Sequence, residues 1–546
     1  MGSIATGAGR NVRPGVSSGM AAVSYLRGAL VVGSEWVETK WWRCVLLISV
    51  AYLPLAFLMA HAQRLSSDEI YTYHIAQQPT IAAMIHLSRQ IDLHPPLHFL
   101  LQRAALMLEL PRWLSSRLPS LLAGWVGLIA IFGVVARRFG NLFGLLAASL
   151  YWFTPATNFG WSNRPYAIWL CFLALTAFFW SLTSEWRRPW WVPLTIGLSG
   201  FAMVLDYMFG LPCLLAFLLA EAVRSYRRRC VDVPVLAGLM LPFVAGISYC
   251  EQIRSFATNG FTQNYLPSFS MGVDVYIGLI LLPLACLAGC WVFADIVAER
   301  SAYPRSSRSL QPEVWVMMVT LTALPALLLI VAAIHHTQFF ARYAACGCVG
   351  LALLLSCFVI SFCDRARTVA FLLAIGMLIA SAANCYLDTH DLMGAERPTA
   401  MGVSTKPLES LDPQLPIVVA SATDFTELND REPPLIAKRL YYLTDRGEAE
   451  KYSGQTLFET EDQTAPLLGL AGHAEPMTTF LKAHAKFYVL GDYMSSEEWS
   501  LRYMMDHRLP LAYLGKFKTT VAADDLFEVR NNQVLNSHAN AEPSAK

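Results

Sequence analysis

Two adjacent acids, Asp68 and Glu69, follow the first long apolar run of the 546-residue chain. A carboxylate at the edge of a membrane is partly desolvated, which raises its pKa toward the range that suits a general base. Neighbouring residues do not share one face of a helix, so one acid can point into a site while the other caps the helix or is solvated. Ser66, Ser67, Asp68 and Glu69 also form a good N-cap sequence, so capping by Asp68 is the simpler alternative.

Further ionisable and aromatic residues lie in other loops beside apolar runs. Asp92 and His94 belong to the sequence D-L-H-P-P-L, in which the two prolines stiffen the chain. Arg164 precedes Pro165 and Tyr166 at the start of an apolar run, where an arginine either snorkels to lipid headgroups or binds a phosphate. The other members of this set are Asp206, His336, Arg342 and Tyr343. Together these loops predict one polar pocket at a membrane–water boundary.

The composition defines the class of protein that must carry these residues. Apolar residues make up 55% of the chain and charged residues 15%, whereas soluble domains carry about 25% charged residues. A soluble multidomain enzyme is therefore excluded, and a net charge of +1 argues against a nucleic-acid partner. The twelve cysteines lie in or beside apolar runs, which argues against a disulfide framework or a cysteine zinc site.

Apolar runs separated by charged breaks predict eleven membrane-spanning helices. We place them at 41–62, 114–136, 142–157, 165–183, 190–205, 207–223, 234–250, 273–294, 313–334, 343–362 and 368–387. Arginine pairs and clusters such as Arg137–Arg138 fall in alternate connections, whereas the opposite short loops carry single arginines. The positive-inside rule then predicts a cytoplasmic tail over 1–40, with residues 1–24 disordered, and an extracytoplasmic C-terminus.

Two stretches on the predicted outer side are longer than simple turns. The first, 63–113, holds the acids and two amphipathic patterns, within 80–90 and 94–110, which we expect to be short interfacial helices. The second, 388–546, has strand-like runs at 416–421, 439–444, 486–491 and 525–530 and predicts a soluble α/β domain with a disordered end over its last 15 residues. The predicted fold is therefore a polytopic α-helical membrane protein, with a transmembrane domain over 41–387 and this soluble domain attached.

The order of the short motifs resembles membrane glycosyltransferases of the C-type superfold, in the protein-mannosyltransferase and aminoarabinose-transferase branch. The resemblance covers about 41–390 and rests on motifs that begin at Asp68, Asp92, Arg117, Arg137, Arg164 and Arg342. It implies transfer of a sugar from a polyprenyl phosphate, outside the cytoplasmic membrane, to a lipid, glycan or protein. Members of this branch often have an acid two places before the Arg-Pro-Tyr arginine, where this chain has Ser162. Either Asp206 or Asp92 would then supply a second carboxylate, or the chemistry relies on Asp68 and Glu69 alone.

The resemblance also implies inversion at the anomeric carbon without a covalent intermediate. Asp68 suits the general base, with Glu69 as the next candidate. Arg342 suits the departing phosphate, helped by Arg164 or His94, with Tyr343 and Tyr166 as further donors. We also place Asp92, Asp206 and His336 on the substrate-binding surface. A divalent metal, Mg²⁺ or Mn²⁺, between Asp68, Glu69 and the phosphate stays an open alternative.

Two other classes of protein have comparable sequences. A secondary transporter places ionisable residues near the bilayer midplane and is built from repeated halves, whereas here the charges gather at one face and no repeat is evident. A membrane-anchored envelope sensor or assembly protein would not need eleven spans. The absence of an Asn-x-Ser/Thr sequon favours a bacterial inner membrane over an endoplasmic reticulum. We therefore expect a glycosyltransferase.

Overall fold

The structure is a computed structural model in which the described residues form fifteen α-helices of known bounds before a mixed α/β region. It describes residues 14–92, 94–184, 188–258, 310–335, 339–362, 366–394, 408–454, 456, 458–492, 494–495, 498–518 and 523–531, together with positions 285, 288, 289 and 292. The helices before the α/β region are α1 Pro14–Thr39, α2 Trp41–Ala62, α3 Ser67–Ala76, α4 Ile81–Ile91, α5 Leu97–Leu106, α6 Arg112–Ser115, α7 Leu118–Phe139, α8 Asn141–Trp152, α9 Tyr166–Ser181, α10 Trp191–Asp206, α11 Gly210–Arg228, α12 Val233–Thr258, α13 Pro312–Ile334, α14 Cys346–Phe362 and α15 Ala366–Gly394.

Five helical segments of the described chain are long and apolar enough to cross a membrane. These segments are Trp41–Ala62, Leu118–Phe139, Pro312–Ile334, Arg342–Ser361 and Ala366–Met393. Four shorter apolar helices accompany them, at Asn141–Trp152, Tyr166–Ser181, Trp191–Asp206 and Val233–Tyr249. Ten predicted spans overlap a helix, and the span predicted at 273–294 lies almost entirely outside the described residues. The prediction of a polytopic helical membrane protein is confirmed, while the side on which each loop lies stays a prediction.

The N-terminal segment differs from its prediction. Residues 14–24, expected to be disordered, belong to helix α1. The end of α1 packs on the bundle: Val37 is buried, and the Glu38 carboxylate accepts a 2.9 Å hydrogen bond from the Leu142 N–H at the start of α8. Contacts between segments that are distant in sequence cannot be predicted from local composition. The sequence therefore did not predict this helix.

The two amphipathic patterns of segment 63–113 are helices, as predicted. Thr80 caps α4 by accepting a hydrogen bond from the Ala83 N–H, and Pro96 precedes α5, where its fixed φ suits a helix start. The apolar faces meet in a small core around Met84 and Phe99. This core keeps the segment folded above the ends of the long helices.

One close approach fixes the first span against the helices that carry the site. The buried Tyr52 side chain of α2 reaches Gly124 of α7 and Gly160 of the 3-10 helix Pro155–Trp161. A Cβ atom at Gly124 would lie 2.1 Å from the Tyr52 hydroxyl oxygen, and one at Gly160 would lie 2.3 Å from it. Only glycine therefore leaves room for this phenol at both positions.

The C-terminal region is built on a six-stranded sheet with the order β3-β2-β1-β4-β6-β5. Its strands are β1 Ile417–Val419, β2 Leu440–Thr444, β3 His473–Pro476, β4 Lys486–Gly491, β5 Leu511–Lys518 and β6 Ala523–Arg530. Strands β3, β2, β1 and β4 are parallel, and β6 pairs antiparallel with β4 and β5. The helices of this region are α16 Ala422–Arg431, α17 Pro434–Ala437, α18 Arg446–Ser453, α19 Glu461–Leu468, α20 Met477–Ala483 and α21 Trp499–Asp506.

The predicted α/β region and its four predicted strands are confirmed, and two strands were missed. β3 is a short edge strand with little apolar character, and β5 is the opposite edge strand, interrupted by a register shift between Tyr513 and Gly515. Apolar helix faces cover both sides of the sheet, with Phe425 on one side and Phe480 on the other. Helix α15 continues to Gly394, beyond the predicted boundary at 387.

Candidate functional site

Glu69 forms a buried ion pair with Arg117. The Arg117 Nε and Nη2 atoms each lie 3.0 Å from a Glu69 carboxylate oxygen, and both side chains are almost fully buried. The Asn163 N–H donates a 2.5 Å hydrogen bond to the same carboxylate, and the Ser66 N–H donates another at 2.9 Å. Arg117 also donates to backbone carbonyl groups that follow or end α2, those of Ala60, Gln63 and Arg64.

The local sequence explains why Glu69 points inward. Ser66 and Glu69 form a reciprocal capping box at the start of α3, in which the N3 glutamate binds back to the N-cap backbone. Capping therefore belongs to Ser66 and Glu69, and the alternative in which Asp68 caps α3 is wrong. Because both carboxylate oxygens of Glu69 already accept hydrogen bonds, this environment suits a structural role and not the catalytic role predicted for Glu69.

Asp68, the residue before Glu69 in α3, points away from this ion pair and faces outward. Its side chain is 54% exposed, and one carboxylate oxygen lies 3.4 Å from the Arg164 Nη2 atom. The Arg164 Nη1 atom donates to the Asp68 carbonyl oxygen at 3.2 Å and to the Thr72 hydroxyl at 3.4 Å. Arg164 therefore fixes α3 and its exposed acid in relation to the start of α9.

Asp92 and His94 form the second polar element of the site. The His94 ring contacts the Asp92 carboxylate through Nδ1, and the His94 N–H donates to it at 3.0 Å. The other carboxylate oxygen lies 3.7 Å from the Arg164 Nη1 atom. Burial alone would raise the pKa of Asp92, but the neighbouring His94 and Arg164 hold the pKa below its ordinary value. Asp92 is therefore an anion that orients the His94 ring and the Arg164 guanidinium group.

Aromatic rings form the wall between these elements. The His94 ring stacks on Tyr207 with centroids 5.5 Å apart, and Tyr207 meets Tyr166 edge to face at 5.3 Å. Tyr343 stacks on Phe209, with centroids 4.2 Å apart. The first turn of α9, the end of α10 and the chain before α14 thus share one aromatic cluster.

Arg342 reaches the same cluster from the chain that precedes α14. Its guanidinium carbon lies 5.9 Å from the centroid of the Tyr166 ring, and the guanidinium carbon of Arg164 lies at the same distance from that ring. Phe340 and Tyr343 also lie under the Arg342 cation. Within the described part of the chain, Arg342 has no carboxylate partner. Two guanidinium groups therefore lie near one phenol ring, and among the described residues only Arg164 forms an ion pair with a carboxylate.

Two predicted site residues stand apart from this group. Asp206 ends α10 and is fully buried, and its carboxylate oxygens have no hydrogen-bond partner among the described residues. Asp206 is therefore not on the surface of the pocket, although its neighbour Tyr207 is part of the aromatic wall. His336 lies outside the described residues, so its predicted role stays a prediction.

Sequence reasoning missed several residues that build the site. Arg117 belonged to a noted motif, but nothing in its neighbours signalled a buried partner 48 positions away. His98 is buried beside Arg164 and His94, and burial together with these charges lowers its pKa to about 3. The sequence H-P-P-L-H places this second histidine one turn after the first, which was the available signal.

The α/β region also contacts helix α3 directly. The Tyr71 hydroxyl donates to the Glu461 carboxylate of α19 at 2.8 Å, and the Ser67 N–H donates to the Glu427 carboxylate of α16 at 3.1 Å. Asp68 lies between Ser67 and Tyr71 on the same helix. The C-terminal region therefore supports the helix that carries the exposed acid.

The residues proposed for a metal do not fit that role as a pair. The Glu69 oxygens face Arg117, Asn163 and Ser66, whereas Asp68 is on the outer face of α3. Within the described residues, no group of three His, Cys, Asp or Glu side chains has the arrangement of a metal site. Of these two acids, Asp68 is the one whose carboxylate could share a cation with a bound phosphate.

Comparison with known proteins gives a consistent fold. The family model for dolichyl-phosphate-mannose-protein mannosyltransferase matches residues 93–249. ArnT from Cupriavidus metallidurans superposes with a TM-score of 0.55 in its apo state, at 13% sequence identity, over 89% of this chain and 97% of ArnT. This chain has the fold of a C-type membrane glycosyltransferase of the mannosyltransferase and ArnT type.

Two further solved structures are similar to this chain. ArnT bound to undecaprenyl phosphate superposes with the same TM-score of 0.55, at 12% identity, over 89% of this chain and 97% of ArnT. The Archaeoglobus fulgidus oligosaccharyltransferase, with a tethered acceptor peptide, gives a TM-score of 0.41 at 12% identity, over 89% of this chain and 74% of that one. No curated protein sequence matches the chain.

The two acids of α3 should respond differently to substitution. Glu69→Ala leaves the buried Arg117 cation without its partner, and breaking a buried pair in this way costs about 3–5 kcal/mol. We therefore expect Glu69→Ala to lower the thermal unfolding temperature of the purified protein and its accumulation in the membrane. Asp68→Ala, at an exposed position of the same helix, is the matched control and should unfold like wild type. Equal stability of both variants would contradict the structural role of Glu69.

Proposed function

We propose that the chain transfers a sugar from a polyprenyl-phosphate-linked donor to an extracytoplasmic lipid, glycan or protein, with inversion at the anomeric carbon. The observation that carries this proposal is that the Arg164 and Arg342 guanidinium carbons each lie 5.9 Å from the centroid of the Tyr166 ring, with Asp68 beside Arg164. A pair of guanidinium groups is suited to a phosphate, and an exposed carboxylate next to them is suited to a general base.

Arg342 is the better candidate for the donor phosphate. Arg164 already contacts Asp68 and Asp92, so part of its charge is balanced by acids. Arg342 is surrounded by aromatic rings, and a guanidinium can clamp two phosphate oxygens in its fixed fork. Arg164 would then add a second positive charge while it positions Asp68.

The reaction can be followed atom by atom. The acceptor hydroxyl oxygen attacks the anomeric carbon, its proton passes to the Asp68 carboxylate, and the bond between that carbon and the phosphate oxygen breaks. Negative charge grows on the leaving phosphate, where the charge-assisted hydrogen bonds of Arg342 and Arg164 would strengthen. Glu69 has no part in this step because its oxygens are occupied.

The sequence predicts a partly desolvated base at the membrane edge, whereas the Asp68 side chain is exposed in the structure. Its desolvation would come from the bound donor and acceptor, which cover the open face of α3. The buried rings of Tyr166 and Tyr207 would hold the His94 ring in place beside this face. Asp92 would orient Arg164, and His94 would orient the Tyr207 ring on which it stacks. Asp92 and His94 are therefore positioning residues of the binding surface.

The comparisons support the donor class. The matching family model names a dolichyl-phosphate-linked mannose as donor and a protein as acceptor, and one superposed ArnT structure holds undecaprenyl phosphate. The location that follows from this proposal is the cytoplasmic membrane, with the α/β region on its outer side. The contacts of Glu427 and Glu461 with α3 support a position of that region close to the proposed base, Asp68.

Replacement of the proposed base tests its role. Asp68→Asn retains size but cannot accept the acceptor's proton, so transfer from a radiolabelled polyprenyl-phosphate sugar should fall by at least about 100-fold. Glu109→Gln, at an exposed acid of the same 63–113 segment, is the control and should keep wild-type activity. If Asp68→Asn stays within a few-fold of wild type while it accumulates normally, Asp68 is not the base.

A second test separates phosphate binding from lipid snorkelling at Arg342. Arg342→Lys keeps the charge but loses the fork, so we expect the KM for the donor to rise about tenfold, the equivalent of one charge-assisted hydrogen bond. Arg342→Ala should nearly abolish use of the donor. Arg89→Lys, at an exposed arginine of α4, should leave the KM unchanged. If the Arg342→Lys enzyme has wild-type kinetics, Arg342 does not bind the donor phosphate, and Arg164 becomes the candidate for that role.

A further inference from the structure

Helix α3, which carries the proposed base Asp68, has little intrinsic tendency to form. It is ten residues long, shorter than the roughly 12–15 residues below which an isolated helix is marginal in water. Its central stretch, 70–75, consists of isoleucine, tyrosine, threonine and histidine, all of which have weaker helix propensity than alanine or leucine. The helix therefore depends on contacts from other parts of the chain.

The C-terminal end of α3 is held by a cation of α5. Arg103 donates to the carbonyl oxygens of Ala76 at 3.2 Å and of Pro79 at 3.1 Å, and it also contacts that of Gln78. These carbonyl groups end the helix or follow it, where a positive charge also complements the helix dipole. This end of α3 thus has its partner within the same 63–113 segment.

The N-terminal end of α3 takes a partner from the α/β region. In the capping box, the Ser66 hydroxyl accepts from the Glu69 N–H and the Glu69 carboxylate accepts from the Ser66 N–H. The first N–H groups of a helix lack an intrahelical partner, and the Ser67 N–H is the first of them. The Glu427 carboxylate of α16 accepts this N–H at 3.1 Å, and both residues are buried. Its negative charge also complements the positive end of the helix dipole.

A second contact, one turn further along, fixes the rotation of α3. The Tyr71 hydroxyl donates to the buried Glu461 carboxylate of α19 at 2.8 Å. Ser67 and Tyr71 are four residues apart, so they lie on one face of the helix, and this face contacts the α/β region. Asp68 lies beside that face and contacts Arg164. The contacts with the α/β region therefore set the direction in which Asp68 points.

We propose that Glu427 is a positioning residue for the transfer reaction, which caps α3 from the α/β region and so holds Asp68 within reach of the acceptor hydroxyl. This inference rests on the proposed function, because it takes Asp68 as the base. Glu427 acts on the reaction only through α3, since its carboxylate is buried against the Ser67 N–H. A displacement of about 1 Å at a reacting group can cost about 100-fold in rate. The α/β region would then be required for transfer itself.

The first test measures α3 without any substrate, by hydrogen exchange and mass spectrometry of the full-length protein in detergent. Amides of 67–76 should exchange about tenfold faster in Glu427→Ala than in wild type, because a helix cap is lost. Asp445→Ala is the matched control, since Asp445 caps a different helix of the α/β region, α18. It should leave exchange of 67–76 unchanged. Equal exchange of 67–76 in wild type and Glu427→Ala would overturn the proposal.

The second test measures kinetics with the radiolabelled polyprenyl-phosphate sugar that wild type transfers. Glu427→Ala should lower kcat by at least about tenfold, while the KM for the donor stays within about twofold because Arg342 is unchanged. Glu427→Gln keeps an oxygen that can accept from the Ser67 N–H, so it should retain at least about a third of the wild-type kcat. Asp445→Ala should keep the wild-type kcat. If Glu427→Ala and Asp445→Ala have the same kcat, Glu427 does not position the base.

Variants on the donor side of this hydrogen bond cover the case in which Glu427→Ala does not fold. Ser67→Pro removes the N–H, and proline suits the first position of a helix. The extended backbone of Ser66, with φ −75° and ψ 164°, is compatible with a following proline. Ser67→Pro should lower kcat as Glu427→Ala does, whereas Ser67→Ala keeps the N–H and should behave like wild type. Equal kcat values for these two Ser67 variants would contradict the capping role.

The double variant Asp68→Asn/Glu427→Ala separates this inference from the proposed function. If Glu427 acts through Asp68, the double variant should transfer sugar no more slowly than Asp68→Asn alone. A further loss of about tenfold would mean that Glu427 acts by another route, and would overturn the positioning role. Full activity of Asp68→Asn would instead contradict the proposed base, and the exchange of 67–76 would then decide whether Glu427 caps α3.

Discussion

The buried ion pair between Glu69 and Arg117 is the interaction on which the site depends. Arg117 joins the chain that follows α2, the start of α3 and the start of α7 through carbonyl and carboxylate contacts. The Glu69 carboxylate also accepts a hydrogen bond from the Asn163 N–H, which connects the turn before α9 to the ion pair. Each charge on its own would be costly to bury, whereas the pair with its extra hydrogen bonds is satisfied. This pair fixes the positions of the helix ends that surround the pocket.

Helix geometry then separates the roles of the two acids. Consecutive residues on an α-helix are turned by about 100° from each other, so Glu69 and Asp68 point in different directions, and in α3 the direction of Asp68 is the exposed one. Arg164 contacts Asp68 on that face, and Tyr166 brings Arg164 and Arg342 together from loops more than 170 residues apart. The site is thus assembled from short elements at one end of long helices, with the α/β region supporting α3 through Glu427 and Glu461.

The sequence predicted well what depends on local patterns, and less well what depends on distant contacts. Apolar runs located the long helices, and strand-like runs located the four inner strands of the sheet. The convergence of Asp92, His94, Arg164, Tyr166, Arg342 and Tyr343 followed from their common depth in the predicted topology. The partner of Glu69, the burial of Asp206 and helix α1 did not follow, because each depends on a residue far along the chain. A capping sequence at Ser66 indicated a helix start, but it could not tell which acid would face inward.

The most direct test of this account is the affinity of polyprenyl phosphate, without sugar, for wild type, Asp68→Asn and Arg342→Lys. Asp68 is a negative charge beside the phosphate site in this account, so its removal should leave the affinity unchanged or make it higher while sugar transfer is lost. Arg342→Lys should lower the affinity because a phosphate contact is lost. A loss of polyprenyl phosphate binding in Asp68→Asn equal to that in Arg342→Lys would contradict the assignment of Asp68 as base and of Arg342 as phosphate ligand.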